Sequence, residues 1–107
     1  MIEEKQRSVS IQGRVNIETS SKMRRVIAEA LRSIPSAVTI DFSGVSYIDT
    51  SGLATLLEAS RIARLQGTRL VVAGLHDQPR KLLHLSQIDS LLDITEPAPH
   101  EPQDPLR

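Results

Sequence analysis

The stretch VTIDFSGVSYIDTSGLATLL, Val38 to Leu57, decides the fold. Val38, Thr39 and Ile40 are all β-branched and stand between Pro35 and the pair Ser43-Gly44. A short apolar run bounded by turn formers reads as a buried strand. Ser43-Gly44 reads as a turn, and a second short apolar run follows through Val45, Tyr47 and Ile48. Asp49-Thr50-Ser51-Gly52 is small and polar, and beyond it Leu53, Leu56 and Leu57 recur at helical spacing. A strand end thus feeds a polar loop, and the loop feeds a helix N-terminus. Free backbone N–H groups gather at such a point and the macrodipole is positive there. A hydroxyl at that place can cap the helix, or carry a phosphate that the helix end tolerates.

Upstream, Val9, Ile11 and Val15 alternate with polar residues from Arg7 onward, which predicts a half-buried strand with a bend or bulge at Gly13. Only Ile2 to Gln6 remains for any earlier strand, so that strand is expected to be short or frayed. Asn16 to Ser21 is a polar connector, and Thr19 or Ser20 is placed to start the first helix. Met23, Val26, Ile27, Ala30, Leu31 and Ile34 lie on one helical face, with Lys22, Arg24, Arg25, Glu29 and Arg32 on the other. Pro35 ends that helix, because the residue before proline is pushed away from helical angles.

Downstream, the second helix is expected from about Ser51 to Gln66. Glu58, Arg61 and Arg64 form its wet stripe, and Gly67 is its stop. Leu70-Val71-Val72-Ala73 reads as a buried strand ended by Gly74. Asp77 is expected to cap a third helix over Gln78–Leu85, with Pro79 in the first turn and Leu82, Leu83 and Leu85 buried. Leu91 to Ile94 predicts a last short extended segment. Strands alternating with helices predict an α/β domain over residues 1–95, a small mixed, largely parallel sheet with helices packed mainly on one face. Residues 96–107 hold Pro97, Pro99, Pro102 and Pro105 and almost nothing apolar, the composition of a disordered tail.

Composition narrows the function. The chain has 107 residues, enough for one core and not two. Aromatic residues are 2% of it, so the core must be aliphatic. Lys+Arg and Asp+Glu are 13 each, a balance that argues against nucleic acid as the main partner. No cysteine is present, which removes disulfides, thiolate metal sites and cysteine nucleophiles. No apolar run is long enough to span a bilayer, so direct membrane insertion is not expected. Met1-Ile2-Glu3-Glu4 lacks the order of a signal peptide, which points to a cytoplasmic protein. His76, His84 and His100 are too scattered for a metal site. Asp41 and Asp49 make a weak carboxylate pair, and there is no Gly-rich phosphate loop or nucleophile elbow. The reading is therefore a binding module that needs no metal or cofactor, not an enzyme.

Asp41-Phe42-Ser43-Gly44-Val45 followed by Tyr47-Ile48-Asp49-Thr50-Ser51-Gly52-Leu53 resembles the signature of the STAS family, in its branch of bacterial anti-sigma factor antagonists. The resemblance runs from about Val9 to about Ile94. It implies the same sheet and helices, and it makes Ser51 the regulatory serine, phosphorylated by an anti-sigma factor that is also a serine kinase. The unphosphorylated protein would bind that kinase and free a sigma factor; a phosphatase would reset it. Antagonists often show Gly-Glu-Leu-Asp in the connector near this loop. Gly13 matches, while Arg14 and Asn16 replace the two acids. Many members also end in a helix, where this chain has prolines.

The partner surface implied by the resemblance is Asp49, Thr50, Ser51, Gly52 and Leu53, with Asn16 beside it. Asp49 can cap the second helix, orient Ser51 or touch the partner. Asp41, at a strand end, is expected to hold the following loop by hydrogen bonds, and Gly44 belongs to that loop. Gly52 lets the backbone approach closely. Thr50 is the rival hydroxyl. In a second STAS branch, the small cytoplasmic subunits of ABC transporters that move lipids, the motif often reads Asp-Thr-Gly-Gly, and the threonine at that position meets the ATPase. The chain carries both hydroxyls, so an ABC transporter ATPase is the alternative partner.

Overall fold

The computed structural model describes residues 5–94. The short strand foreseen over Ile2 to Gln6 falls largely outside them, and the tail 96–107 wholly so. The order is β1 (Gln6–Val15), α1 (Ser20–Leu31), β2 (Ala37–Ile48), α2 (Thr50–Gln66), β3 (Arg69–Ala73) and α3 (Asp77–Leu85). A 3-10 turn over Ile88–Leu91 then leads to β4 (Asp93–Ile94). The sheet runs β1-β2-β3-β4, and each described pairing is parallel. Parallel neighbours need crossovers, and right-handed crossovers that all step the same way bring their helices to one face. Side chains of the strands and of all three helices meet in a single core cluster.

β2 explains why the sheet holds together. Ser43-Gly44 is not the turn that its composition suggests. The strand passes through it without a break to Ile48. Its fully buried residues are Val38, Ile40, Phe42, Val45 and Ile48, each 0% exposed. Those spacings are two, two, three and three. Strict alternation after Phe42 would turn Gly44 and Ser46 inward. Instead the β1–β2 register slips between Ser10 and Gln12 and again between Gly13 and Arg14. Each slip takes up one extra β2 residue, and the apolar set returns to the core face. Gly44 is needed here because the Gln12 amide lies across it. A Cβ would stand 2.5 Å from Gln12 Oε1 and 2.9 Å from Nε2.

α1 buries Met23, Ile27, Ala30 and Leu31 as its periodicity requires. Ile34 departs from that face. The helix closes at Leu31, and Pro35 forces the chain out; Ile34 takes φ 51° and is 61% exposed. A β-branched residue is costly in the left-handed region. Ile34→Gly is expected to stabilise the domain by about 0.5–1 kcal/mol, the relief of that strain less the extra freedom of glycine in the unfolded chain. A urea midpoint no higher than wild type would contradict this account.

α2 follows its expected span closely. Asp49 caps it, and Gly67 closes it at φ 80°. Leu53 and Leu56 are buried, whereas Leu57 is exposed. α3 differs from expectation at its start. His76, not Asp77, stands at the cap position, and Asp77 has φ 53°. Leu83 is buried and Leu82 partly so, while Leu85 is exposed because it lies on the outer side of the last turn.

Candidate functional site

β1 and β2 end side by side. Val15 pairs with Ile48, and the Asp49 N–H donates to the Val15 carbonyl at 3.0 Å. Parallel pairing thus brings the β1–α1 connector and the β2–α2 loop to the same edge of the sheet. Asp49 turns the chain from strand to helix with extended angles, φ −112° and ψ −169°. Its Oδ1 accepts from Ser51 N at 2.9 Å, from Ser51 Oγ at 2.6 Å and from Gly52 N at 3.3 Å. One carboxylate oxygen therefore satisfies two of the free N–H groups of the helix start and holds the serine hydroxyl. The Ser51 hydroxyl above all, and the N–H groups of Gly52 and Ser51, keep the Asp49 carboxyl below the usual carboxylate range, against an opposing push from burial.

The two hydroxyls of the motif are presented differently. Ser51 is half-buried, with its proton directed at an ionised carboxylate. That contact polarises the oxygen and leaves its lone pairs for an electrophile such as a phosphoryl group. Thr50 is exposed, and its hydroxyl has no hydrogen-bond partner among the described residues. Gly52 fits the first turn of α2 against the strand ends. A Cβ there would strike the Ile48 side chain and come within 2.9 Å of Val15 Cγ1. Leu53 is buried, so it offers little side chain to a partner. Beyond the loop, Thr50, Ala54, Leu57, Arg61 and Leu65 are exposed along one side of α2.

Asn16 is half-buried, and its Oδ1 is occupied by its own connector. It accepts from Glu18 N at 2.9 Å and Thr19 N at 3.1 Å, while Thr19 Oγ1 donates to the Arg14 carbonyl at 2.8 Å. Arg14 is instead free to lie over the Tyr47 ring, 4.3 Å from its centroid. Asp41 does not end its strand. It is the last β2 residue paired with β3, opposite Ala73, and its Oδ1 accepts Ser43 N at 2.9 Å.

Two side chains that reach β2 from the start of α3 left no signal in the sequence. Gln78 reaches Ile48 across thirty residues of chain, and His76 reaches Ser43 across thirty-three. Both look like ordinary polar residues at the start of α3. His76 Nε2 lies 3.0 Å from the Ser43 carbonyl and Nδ1 2.9 Å from Asp77 Oδ2. Both partners only accept, so the ring satisfies both only when doubly protonated. The Asp77 carboxylate, and next the Ser43 carbonyl, raise His76 above its ordinary value of 6.5. A raised basic group stabilises the fold fully below the unfolded pKa and loses that contribution as pH climbs through the folded one. His76→Gln is therefore expected to lower the melting temperature more at pH 5.5 than at pH 8.5. Equal losses at the two pH values would show that His76 holds no charge there.

No group of metal-ligating side chains occurs among the described residues, and none of their helices is long and apolar enough to cross a membrane. Comparison with known proteins gives a consistent family. The anti-sigma-B factor antagonist of Listeria monocytogenes is 29% identical over 88 residues, covering 82% of this chain and 75% of that protein. The structure of the anti-sigma factor antagonist SpoIIAA in its unphosphorylated form aligns with TM-score 0.63 and 16% identity, over 89% of this chain and 83% of that one. A sulfate transporter family protein from Wolinella succinogenes aligns with TM-score 0.71 and 20% identity, over 81% and 70%. At such identities the structural likenesses establish the fold alone. The family model described as "Mlab, STAS domain" matches residues 2–93, and with that span of the chain accounted for, the protein belongs to the STAS domain family.

Proposed function

We propose that this protein is an anti-sigma factor antagonist that works by partner switching from the cytoplasm, and that Ser51 is its switch. The observation that carries the reading is the Ser51 hydroxyl, held 2.6 Å from Asp49 on a capped helix start at the open edge of the sheet. The name of the Listeria relative supports the general role. Unphosphorylated, the protein binds an anti-sigma factor kinase through Asp49, Thr50, Ser51 and Gly52, the edge of Leu53, and the exposed side of α2, with Asn16 beside them. The kinase then gives up its sigma factor. Phosphorylation of Ser51 adds up to about two negative charges beside the Asp49 carboxylate. The helix N-terminus tolerates them. The partner surface has to accommodate new charge and bulk, and it releases. A phosphatase restores the binding form. In this cycle the protein binds and is modified, and the ATP belongs to its partner.

The test is an affinity pull-down with wild type, Ser51→Ala and Ser51→Asp, joined to intact-mass analysis after incubation with the recovered kinase. Wild type and Ser51→Ala are expected to retain a kinase-like ATPase and Ser51→Asp to lose it, with a phosphate added to wild type only. A phosphate found on Ser51→Ala would remove Ser51 from the switch.

A second reading is supported by Thr50, which is exposed and has no hydrogen-bond partner among the described residues, where the Ser51 hydroxyl is engaged. On it, the protein docks on an ABC transporter ATPase through Thr50. Recovery of such an ATPase by all three baits, with loss on Thr50 replacement, would place the chain in the transporter branch.

A further inference from the structure

β2 outruns its neighbour. Its pairing with β3 stops at Asp41–Ala73, while its pairing with β1 continues to Ile48. Past Asp41, the edge of β2 that faced β3 has no strand to bond. Backbone N–H and C=O groups need partners, and here side chains provide them. Asp41 Oδ1 takes Ser43 N at 2.9 Å, and His76 Nε2 meets the Ser43 carbonyl at 3.0 Å. At Ile48, the last residue of β2, one side chain does both jobs. Gln78 Oε1 accepts the Ile48 N–H and Gln78 Nε2 donates to the Ile48 carbonyl, each at 2.9 Å.

From this we infer that Gln78 is a positioning residue for the Asp49–Ser51 switch. Its primary amide offers an acceptor and a donor in one plane, as a peptide unit of an adjacent strand would. It closes the β2 ladder one residue before the helix cap. Along an extended chain, successive peptide groups point to opposite sides. Ile48 is therefore gripped by Gln78 from one side, and Asp49 by the Val15 carbonyl from the other. With the backbone fixed at both residues, the Asp49 carboxylate is aimed at Ser51 N, Ser51 Oγ and Gly52 N. Gln78 is in the first turn of α3, so α3 sets the geometry of a hydroxyl that it does not touch. This deepens the reading of Ser51 as the switch and rests on it.

The experiment uses the full chain, isotopically labelled, as wild type, Gln78→Met and Gln78→Glu. Methionine keeps the length and removes both polar contacts. Glutamate keeps an acceptor for the Ile48 N–H and sets a carboxylate against the Ile48 carbonyl. Amide exchange is followed at Ile48 and at Ile40, which lies between β1 and β3, and the Asp49 carboxyl is titrated by NMR. In Gln78→Met, exchange at Ile48 is expected to rise about ten- to hundredfold relative to Ile40. The Asp49 titration is expected to move up toward the ordinary carboxylate range as its grip on Ser51 loosens. Gln78→Glu is expected to fall between wild type and Gln78→Met in both. A Gln78 that only stabilises the fold would speed exchange at both isoleucines alike and leave the Asp49 titration in place; either result overturns the proposal. These readings need no kinase. If they behave as expected while Ser51 is never modified, it is the switch reading that fails.

Discussion

Phe42→Ala is expected to lower the unfolding free energy by about 3–5 kcal/mol, a large share of the roughly 5–15 kcal/mol available to a domain. Phe42 is the only phenylalanine of the chain and is 0% exposed in an otherwise aliphatic core. It sits at the turning point of β2. Behind it Val38 and Ile40 alternate inward, and ahead of it the register slips so that Val45 and Ile48 can do the same. Truncation leaves a cavity that this neighbourhood closes only in part, because β2 is paired with β1 on both sides of Phe42, through Asp41 before it and from Gly44 onward. The cost should therefore lie well above the bare transfer term. Urea unfolding of Phe42→Ala and Phe42→Leu measures it, with leucine recovering most of the loss. A Phe42→Ala protein within about 1 kcal/mol of wild type would mean that the site collapses freely.

For Gly52→Ala two effects oppose each other, and their sizes decide the outcome. Alanine is favoured over glycine in a helix by up to about 1 kcal/mol. The new Cβ, however, would strike Ile48, stand 2.8 Å from its Cδ1 and 2.9 Å from Val15 Cγ1. Both residues are at most 1% exposed and cannot swing aside. Overpacking of this kind costs about 1–3 kcal/mol, so sterics are expected to win. The damage should concentrate at the switch. Lifting the first turn of α2 off the strands pulls Gly52 N away from the Asp49 carboxylate and shifts Ser51. The expected outcome is a lower urea midpoint together with weaker retention of the partner ATPase. A Gly52→Ala protein more stable than wild type, as propensity alone requires, would refute the close packing of α2 on the strand ends.

Much of this is legible in the chain of residues, because it depends on neighbours a few positions apart. α2 is an example. Asp49 stands three residues before Gly52 and can reach its N–H, and Gly67 is the one residue there that takes φ 80° without strain. α1 shows the limit of periodicity. Ile34 continues the apolar rhythm of Met23, Ile27 and Leu31, yet Pro35 has already ended the helix, and the side chain faces water. In β2 the spacing of Val38, Ile40, Phe42, Val45 and Ile48 encodes two bulges. Taken locally, Ser43-Gly44 suggests a turn instead, since a bulge and a turn use the same small residues and differ only in what pairs alongside.

By itself, then, the sequence determined the α/β alternation, the aliphatic core and the Asp49–Gly52 motif at a helix start. Each of these follows from residue type and short-range spacing. Only the tertiary structure decided which hydroxyl is engaged and which is free, how far β2 extends past β3, and what completes its edge. The reason is range. The Asp49–Ser51 contact spans two residues, but the backbone that aims it is held by Val15 from one side and Gln78 from the other. Those partners are brought in by parallel strand pairing and by the placement of α3, and neither leaves a local trace in the sequence.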